Sequence, residues 1–169
     1  GVTSIGEGTF AGCSSLTSLT ILEGVTSIGD GAFYGCCSVE TLYISNTIET
    51  IGDYAFEGCK SLKSIELPRK LRGLTYGAFK DCTNLENIVF YDDFRFIEGE
   101  VFAGCNSLKE IVIPKLVKSL GSSAFKDCNN LSKITINTEC KAILDNSFEG
   151  CNSLSKIIYL GTKEEWKEV

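Results

Sequence analysis

Leu108-Lys109-Glu110-Ile111-Val112-Ile113-Pro114-Lys115-Leu116-Val117-Lys118-Ser119-Leu120-Gly121-Ser122-Ser123-Ala124-Phe125-Lys126-Asp127-Cys128-Asn129-Asn130 decides the fold, because it is one turn of a pattern that fills the chain. Its phenylalanine belongs to a column of Phe10, Phe33, Phe56, Phe79, Phe102, Phe125 and Phe148, spaced 23 residues apart with no insertion or deletion. Three residues after each comes Cys13, Cys36, Cys59, Cys82, Cys105, Cys128 or Cys151, seven of the nine cysteines. A fixed period of this size predicts a solenoid, in which each repeat is one coil that touches only its neighbours.

Working outward along the coil, the pairs Leu19/Ile21, Leu42/Ile44, Ile65/Leu67, Ile88/Phe90, Ile111/Ile113, Ile134/Ile136 and Ile157/Tyr159 alternate with other residues and predict a short strand. Val25, Ile48, Leu71, Phe94, Val117 and Cys140 follow, and three residues later Ile28, Ile51, Leu74, Ile97, Leu120 and Ile143. Cys140 thus stands in an aliphatic core slot. Gly-x-x-Ala-Phe, as in Gly29 to Phe33, predicts a tight turn into a helical turn or two that leads back to the next strand. One coil cannot bury enough apolar surface to offset the entropy of ordering it, so stability is expected from the stack.

As a unit the coil is L-x-x-I-x-I-P-x-x-V-x-x-I-G-x-x-A-F-x-G-C-x-S, nearly complete from Leu62 with Pro68 and from Leu108 with Pro114. It resembles the BspA-like, or Treponema-type, leucine-rich repeats of bacterial surface proteins, and the resemblance covers essentially the whole chain. It departs from the commoner leucine-rich repeat, which carries asparagine at the turn after the strand. Period and resemblance together lead to an expected α/β solenoid: a right-handed leucine-rich-repeat superhelix with a concave parallel β-sheet and short helical or 3-10 turns on the convex side. The resemblance also implies a cell-surface or secreted setting, with host extracellular proteins or other cells as partners.

Residues 1–169 are expected to form one domain of about seven repeats. Thr162 and Glu165 fit a Ser/Thr-x-x-Glu capping box, and Trp166 falls where another coil would place its core isoleucine. A C-terminal cap over 159–169, with Trp166 as its lid, is therefore expected, and the segment from Ile158 to Trp166 looks like the family's C-terminal ending. Gly1 enters in mid-repeat, which suggests a piece of a longer chain. No run of about 18 apolar residues is present, so no membrane span is expected.

The net charge of -6 is uneven: residues 1–59 hold seven acids and no Lys or Arg, whereas residues 60–169 hold fifteen acids and sixteen bases. The acidic end is either a solvating surface or a patch for a basic partner, and nucleic acid is not an expected partner. Stacked cysteines have parallel Cα to Cβ vectors, poorly aimed for disulfide geometry, so the column reads as buried free thiols. With no histidine and no Cys-x-x-Cys spacing, neither a metal site nor a cofactor is expected. The missing imidazole also excludes Ser-His-Asp and Cys-His catalysis within this chain. The carboxylates Asp92, Asp93, Glu98 and Glu100 read as solvated turn residues rather than a hydrolytic pair, so no enzyme is expected.

What remains is the outward side of the strands, read as three columns. These are Ser18, Thr41, Ser64, Asn87, Glu110, Lys133, Lys156; then Thr20, Tyr43, Glu66, Val89, Val112, Thr135, Ile158; then Leu22, Ser45, Pro68, Tyr91, Pro114, Asn137, Leu160. The ligand-binding candidates are Tyr43, Glu66, Pro68, Val89, Tyr91, Glu110, Val112 and Lys133, because exposed aromatic and β-branched side chains with a charged border suit a protein ligand. Ordinary strand composition accounts for the same residues equally well. Glu40, Lys63, Glu86 and Lys109 alternate in sign and predict a charge ladder along one edge. The expected function is a non-enzymatic protein-binding or adhesion module, or else a spacer that displays another domain. A free first strand also allows edge-to-edge self-association with a second copy.

Overall fold

The computed structural model describes residues 1–167 and Val169, and in it short and longer strands alternate along the chain. In order these are β1 (Ser4–Ile5), β2 (Ser18–Ile21), β3 (Ser27–Ile28), β4 (Thr41–Ile44), β5 (Thr50–Ile51), β6 (Ser64–Glu66) and β7 (Gly73–Leu74). They continue as β8 (Asn87–Val89), β9 (Phe96–Ile97), β10 (Glu110–Val112), β11 (Ser119–Leu120), β12 (Lys133–Ile136), β13 (Ala142–Ile143) and β14 (Lys156–Tyr159), followed by α1 (Lys163–Trp166). Every pairing is parallel and shifted by one repeat, as in Leu19 opposite Leu42 and Ile134 opposite Ile157. The result is a parallel-strand β-solenoid of about seven turns. The even-numbered strands form the expected strand face; the odd-numbered ones form two further parallel ladders, β1-β3-β5 and β7-β9-β11-β13, that the core columns alone did not reveal.

The helical turns expected on the other side are absent: α1 is the helix present among the described residues, and the Gly-x-x-Ala-Phe segments are runs of tight turns. The reason lies in the backbone. Positions Gly8, Gly31, Tyr54, Gly77, Glu100, Ser123 and Asn146 have φ between 55° and 60°, and Gly12, Gly35, Gly58, Asp81, Gly104, Asp127 and Gly150 between 55° and 75°. Two left-handed residues per coil, four apart, break any right-handed helix. Between them the amides alternate in purpose. Those of Gly31, Phe33 and Gly35 donate to Asp53, Ala55 and Glu57 of the next coil, and those of Ala32, Tyr34 and Cys36 donate to carbonyls three residues back. Half the donors that a helix would use internally therefore hold the stack together, and the α/β description gives way to an almost helix-free one.

The core runs unbroken through the stack. Phe33, Phe56, Phe79, Phe102 and Phe125 are fully buried, and successive rings stack at 5.3 to 6.2 Å, tilted by 7° to 21°. Cys36, Cys59, Cys82, Cys105, Cys128 and Cys140 are buried free thiols, as the spacing predicts, while Cys13 is exposed. Cys37, which stands beside the column, is half-buried. At the C-terminus the capping box forms in full: the Glu165 amide donates to Thr162 Oγ1 and the Thr162 amide to Glu165 Oε2. Trp166 rests on Tyr159 at 5.2 Å but stays 37% exposed, so it covers the last coil only in part.

The expected charge ladder does not form. Glu40, Lys63, Glu86 and Lys109 are exposed, and among the described residues no ion pair joins them. Long side chains in open water gain less than about 1 kcal/mol from such a pair, too little to hold them together.

Candidate functional site

The strand face is not a continuous ladder. Its hydrogen-bonded groups are β2-β4, β6-β8 and β10-β12-β14, with interruptions between β4 and β6 and between β8 and β10. The two prolines of the chain coincide with these interruptions. Ser45 and Leu160, at the residue that closes the strand, donate their amides to Ile21 and Ile136 of the preceding coil. Pro68 and Pro114 occupy that same position in the coils of β6 and β10, and proline has no N–H to donate. Each interruption thus falls where a coil offers no closing donor to the strand before it.

The second interruption is the wider one. In the coil of β8, Phe90 and Phe94 stand in columns otherwise held by aliphatic residues and cysteine, apart from the final Tyr159. Their rings meet edge to face at 4.9 Å, and Phe90 meets Phe102 of the same coil edge-on at 6.3 Å. The phenylalanine stack measures 5.5 Å at this boundary, between Phe102 and Phe125, and is widest one coil earlier, at 6.2 Å between Phe79 and Phe102. A ring in place of an aliphatic side chain over-fills the core on the strand side and keeps β10 from closing on β8. The opening is a shallow depression of about 680 Å³ with Ile88, Phe90, Leu108, Ile111 and Ile113 in its floor. A smaller one of about 250 Å³ marks the break between β4 and β6.

The sequence-derived candidates distribute around these openings. Val89, Tyr91, Glu110 and Val112 border the larger one, with Val89 and Val112 48% and 63% exposed. Tyr43 and Glu66 border the smaller one. Lys133 joins the set through its ion pair with Glu110, 2.6 Å long. The Tyr91 hydroxyl donates to Glu66, whose carboxylate holds that hydroxyl above the ordinary tyrosine range, and the Arg69 guanidinium lies 4.4 Å over the Tyr91 ring. Glu66, Tyr91 and Arg69 form one small cluster across two coils.

Pro68 does not reach the surface with the others; it is buried, as are Ser45 and Asn137 of the same column. The strand ends before this column and the chain turns inward. Ser45 Oγ accepts the Thr47 amide, Asn137 Oδ1 accepts the amides of Glu139 and Cys140, and the carbonyls of Pro68 and Pro114 accept from Leu71 and Val117. The period-two reading ran one residue too far into a turn-forming position. The floor residues were legible only as core, and Leu108, Ile111 and Ile113 are indeed buried, whereas Ile88 and Phe90 are partly exposed.

The carboxylates considered for hydrolysis do not converge. Asp93 pairs with Arg72, and Glu100 with Lys80 at 2.6 Å and with the Tyr76 hydroxyl at 2.6 Å. Among the described residues no cluster of three or more potential metal ligands occurs, and no helix is long and apolar enough to cross a membrane.

The comparisons agree with this architecture. The family model described as BspA type leucine-rich repeat region (6 copies) matches residues 1–107 and 74–167. The leucine-rich repeat protein of T. pallidum is 34% identical, with 84% of this chain aligned to 69% of that one and a TM-score of 0.75. A leucine-rich repeat protein of Bacteroides ovatus is 30% identical over 94% of this chain and 52% of its own length, TM-score 0.77. A protein of Faecalibacterium prausnitzii described as a leucine-rich cell surface protein shares the fold at 24% identity and TM-score 0.59, with 99% of this chain covering 66% of that one. This chain therefore spans about one half to two thirds of the length of these proteins. No curated protein matches it. With the 23-residue coil, the parallel ladders and the family match in agreement, the chain belongs to the BspA-type leucine-rich repeat family.

Proposed function

We propose that this chain is a non-enzymatic protein-binding or adhesion module, acting at the cell surface or after secretion, whose ligand seats on the strand face over the opening between β8 and β10. The observation that carries this reading is the interruption itself: Ile88 and Phe90 are partly exposed in the depression beside Val89, Tyr91, Glu110 and Val112, with β-ladder edges free on both sides. Such a depression accepts a large apolar side chain, and the free edges offer hydrogen bonds to an extended segment. The surface setting is supported by the Faecalibacterium prausnitzii relative, described as a cell surface protein. Host extracellular proteins are the class of ligand to try first. Self-association along the free edge of β2 belongs to the same proposal, and a monomeric mass by light scattering at high concentration rules it out.

The test compares the chain with Val89→Arg/Val112→Arg in capture of host extracellular proteins. Both positions are exposed, so the variant folds. A partner retained by the chain and lost by the variant supports the strand-face site. Equal retention, or none, refutes it and leaves the chain as a spacer.

A further inference from the structure

The turn face of the first three coils holds a separate groove of about 400 Å³, walled by the rings of Tyr34 and Tyr54 and rimmed by Glu7, Asp30, Asp53 and Glu57. Tyr34 is 50% exposed. Tyr54 is held edge-on against Tyr76 at 5.5 Å, at a left-handed position filled by glycine in the two preceding coils and in the next. An aromatic ring is thus kept where the backbone favours no side chain at all.

Lys80 lies close enough to act on Glu57, but its ammonium is already ion-paired to Glu100. Residues 1–59 contain no Lys or Arg, and all five ion pairs among the described residues take their base from Lys70 or later. Asp30 and Asp53 each spend one carboxylate oxygen on a backbone amide, of Asp53 at 2.9 Å and of Tyr76 at 3.1 Å. Partial burial pushes the Glu57 carboxyl above its ordinary range. Elsewhere the molecule supplies a template for what would complete such a set. At Tyr91 the same residue types, a tyrosine beside a glutamate, hold a guanidinium 4.4 Å above the ring.

We propose that this groove docks an arginine-bearing basic segment of a partner protein, with the guanidinium stacked on Tyr34 or Tyr54 and its charge met by the surrounding carboxylates. Arginine fits better than lysine because its planar cation stacks on a ring while its edge donates to carboxylates. The site lies on the turn face and is independent of the strand-face proposal.

Fluorescently labelled oligo-arginine and oligo-lysine of equal length, titrated with the chain at low and physiological salt, test it. The expected result is tighter binding of oligo-arginine. Tyr34→Ala should weaken it about threefold, and Glu7→Gln/Glu57→Gln about fivefold. Glu23→Gln/Glu139→Gln removes the same charge from exposed positions outside the groove and should change nothing. Absent binding, no preference for arginine, indifference to Tyr34→Ala, or equal loss in the two charge variants would each overturn the proposal.

Discussion

The Cys82 sulfur lies 3.2 Å from the carbonyl oxygen of Phe56, one coil earlier, and that same oxygen accepts the backbone amide of Cys59. The relationship repeats with Cys36 on Phe10, Cys105 on Phe79, Cys128 on Phe102 and Cys151 on Phe125. A carbonyl has two lone pairs, and in the buried column the thiol supplies the second donor. The cysteines are therefore weak cross-coil hydrogen-bond donors as well as small apolar residues.

Cys82→Ala should accordingly cost about 2 kcal/mol in urea unfolding, from lost volume and a lost donor. Cys82→Val separates the two: it keeps apolar bulk without a donor. If Val matches the native stability, the S–H bond contributes nothing and the column is packing alone.

Thiol reactivity should follow burial. Burial pushes the Cys59 thiol up to about 12 and those of Cys82, Cys105 and Cys128 well above their ordinary range, whereas Cys13 is exposed. In the native protein at mildly alkaline pH, a thiol reagent should modify Cys13 first and leave these four until the chain unfolds. Mass mapping that finds Cys82 or Cys105 labelled early would contradict the buried column.

The opening between β8 and β10 should close when its two causes are removed. Phe90→Ile/Pro114→Ser restores an aliphatic core residue and a strand-closing amide, using the residues Ile44 and Ser45 found at those positions in the coil of β4. Hydrogen exchange should then show the new amide at position 114 protected. Rapid exchange there would mean that something other than Phe90 and Pro114 holds the strands apart.

Two glutamates should respond to acid in opposite directions. Hydrogen bonds from Lys80 and Tyr76 hold the Glu100 carboxyl below its ordinary range, so its contribution is present at neutral pH and is lost as pH falls through that lowered value. Burial raises Glu57, so its charge opposes folding at neutral pH and the penalty fades on acidification. Melting curves at pH 7 should therefore show Glu100→Gln less stable than the parent and Glu57→Gln slightly more stable, with both differences shrinking towards pH 3. The reverse order at pH 7 would refute the assignment.

The sequence alone determined the period, the stack, the strand columns, the buried phenylalanines and thiols, and the Thr162–Glu165 cap, because each depends on side-chain type repeating at one spacing. It also located Val89, Tyr91, Glu110 and Val112 on the surface, since alternation decides which side of a strand faces water. Tertiary structure decided what spacing cannot encode. Whether Gly-x-x-Ala-Phe coils as helix or as turns depends on where its amides find acceptors, and half of them find the next coil. Whether adjacent strands pair depends on donors and ring sizes in two neighbouring coils at once. Pro68, read as surface, ends a strand in the interior, and Phe90 and Pro114, one read as core and the other as outward, combine to open the strand face. These are properties of contacts between repeats, and a single repeat read on its own does not contain them.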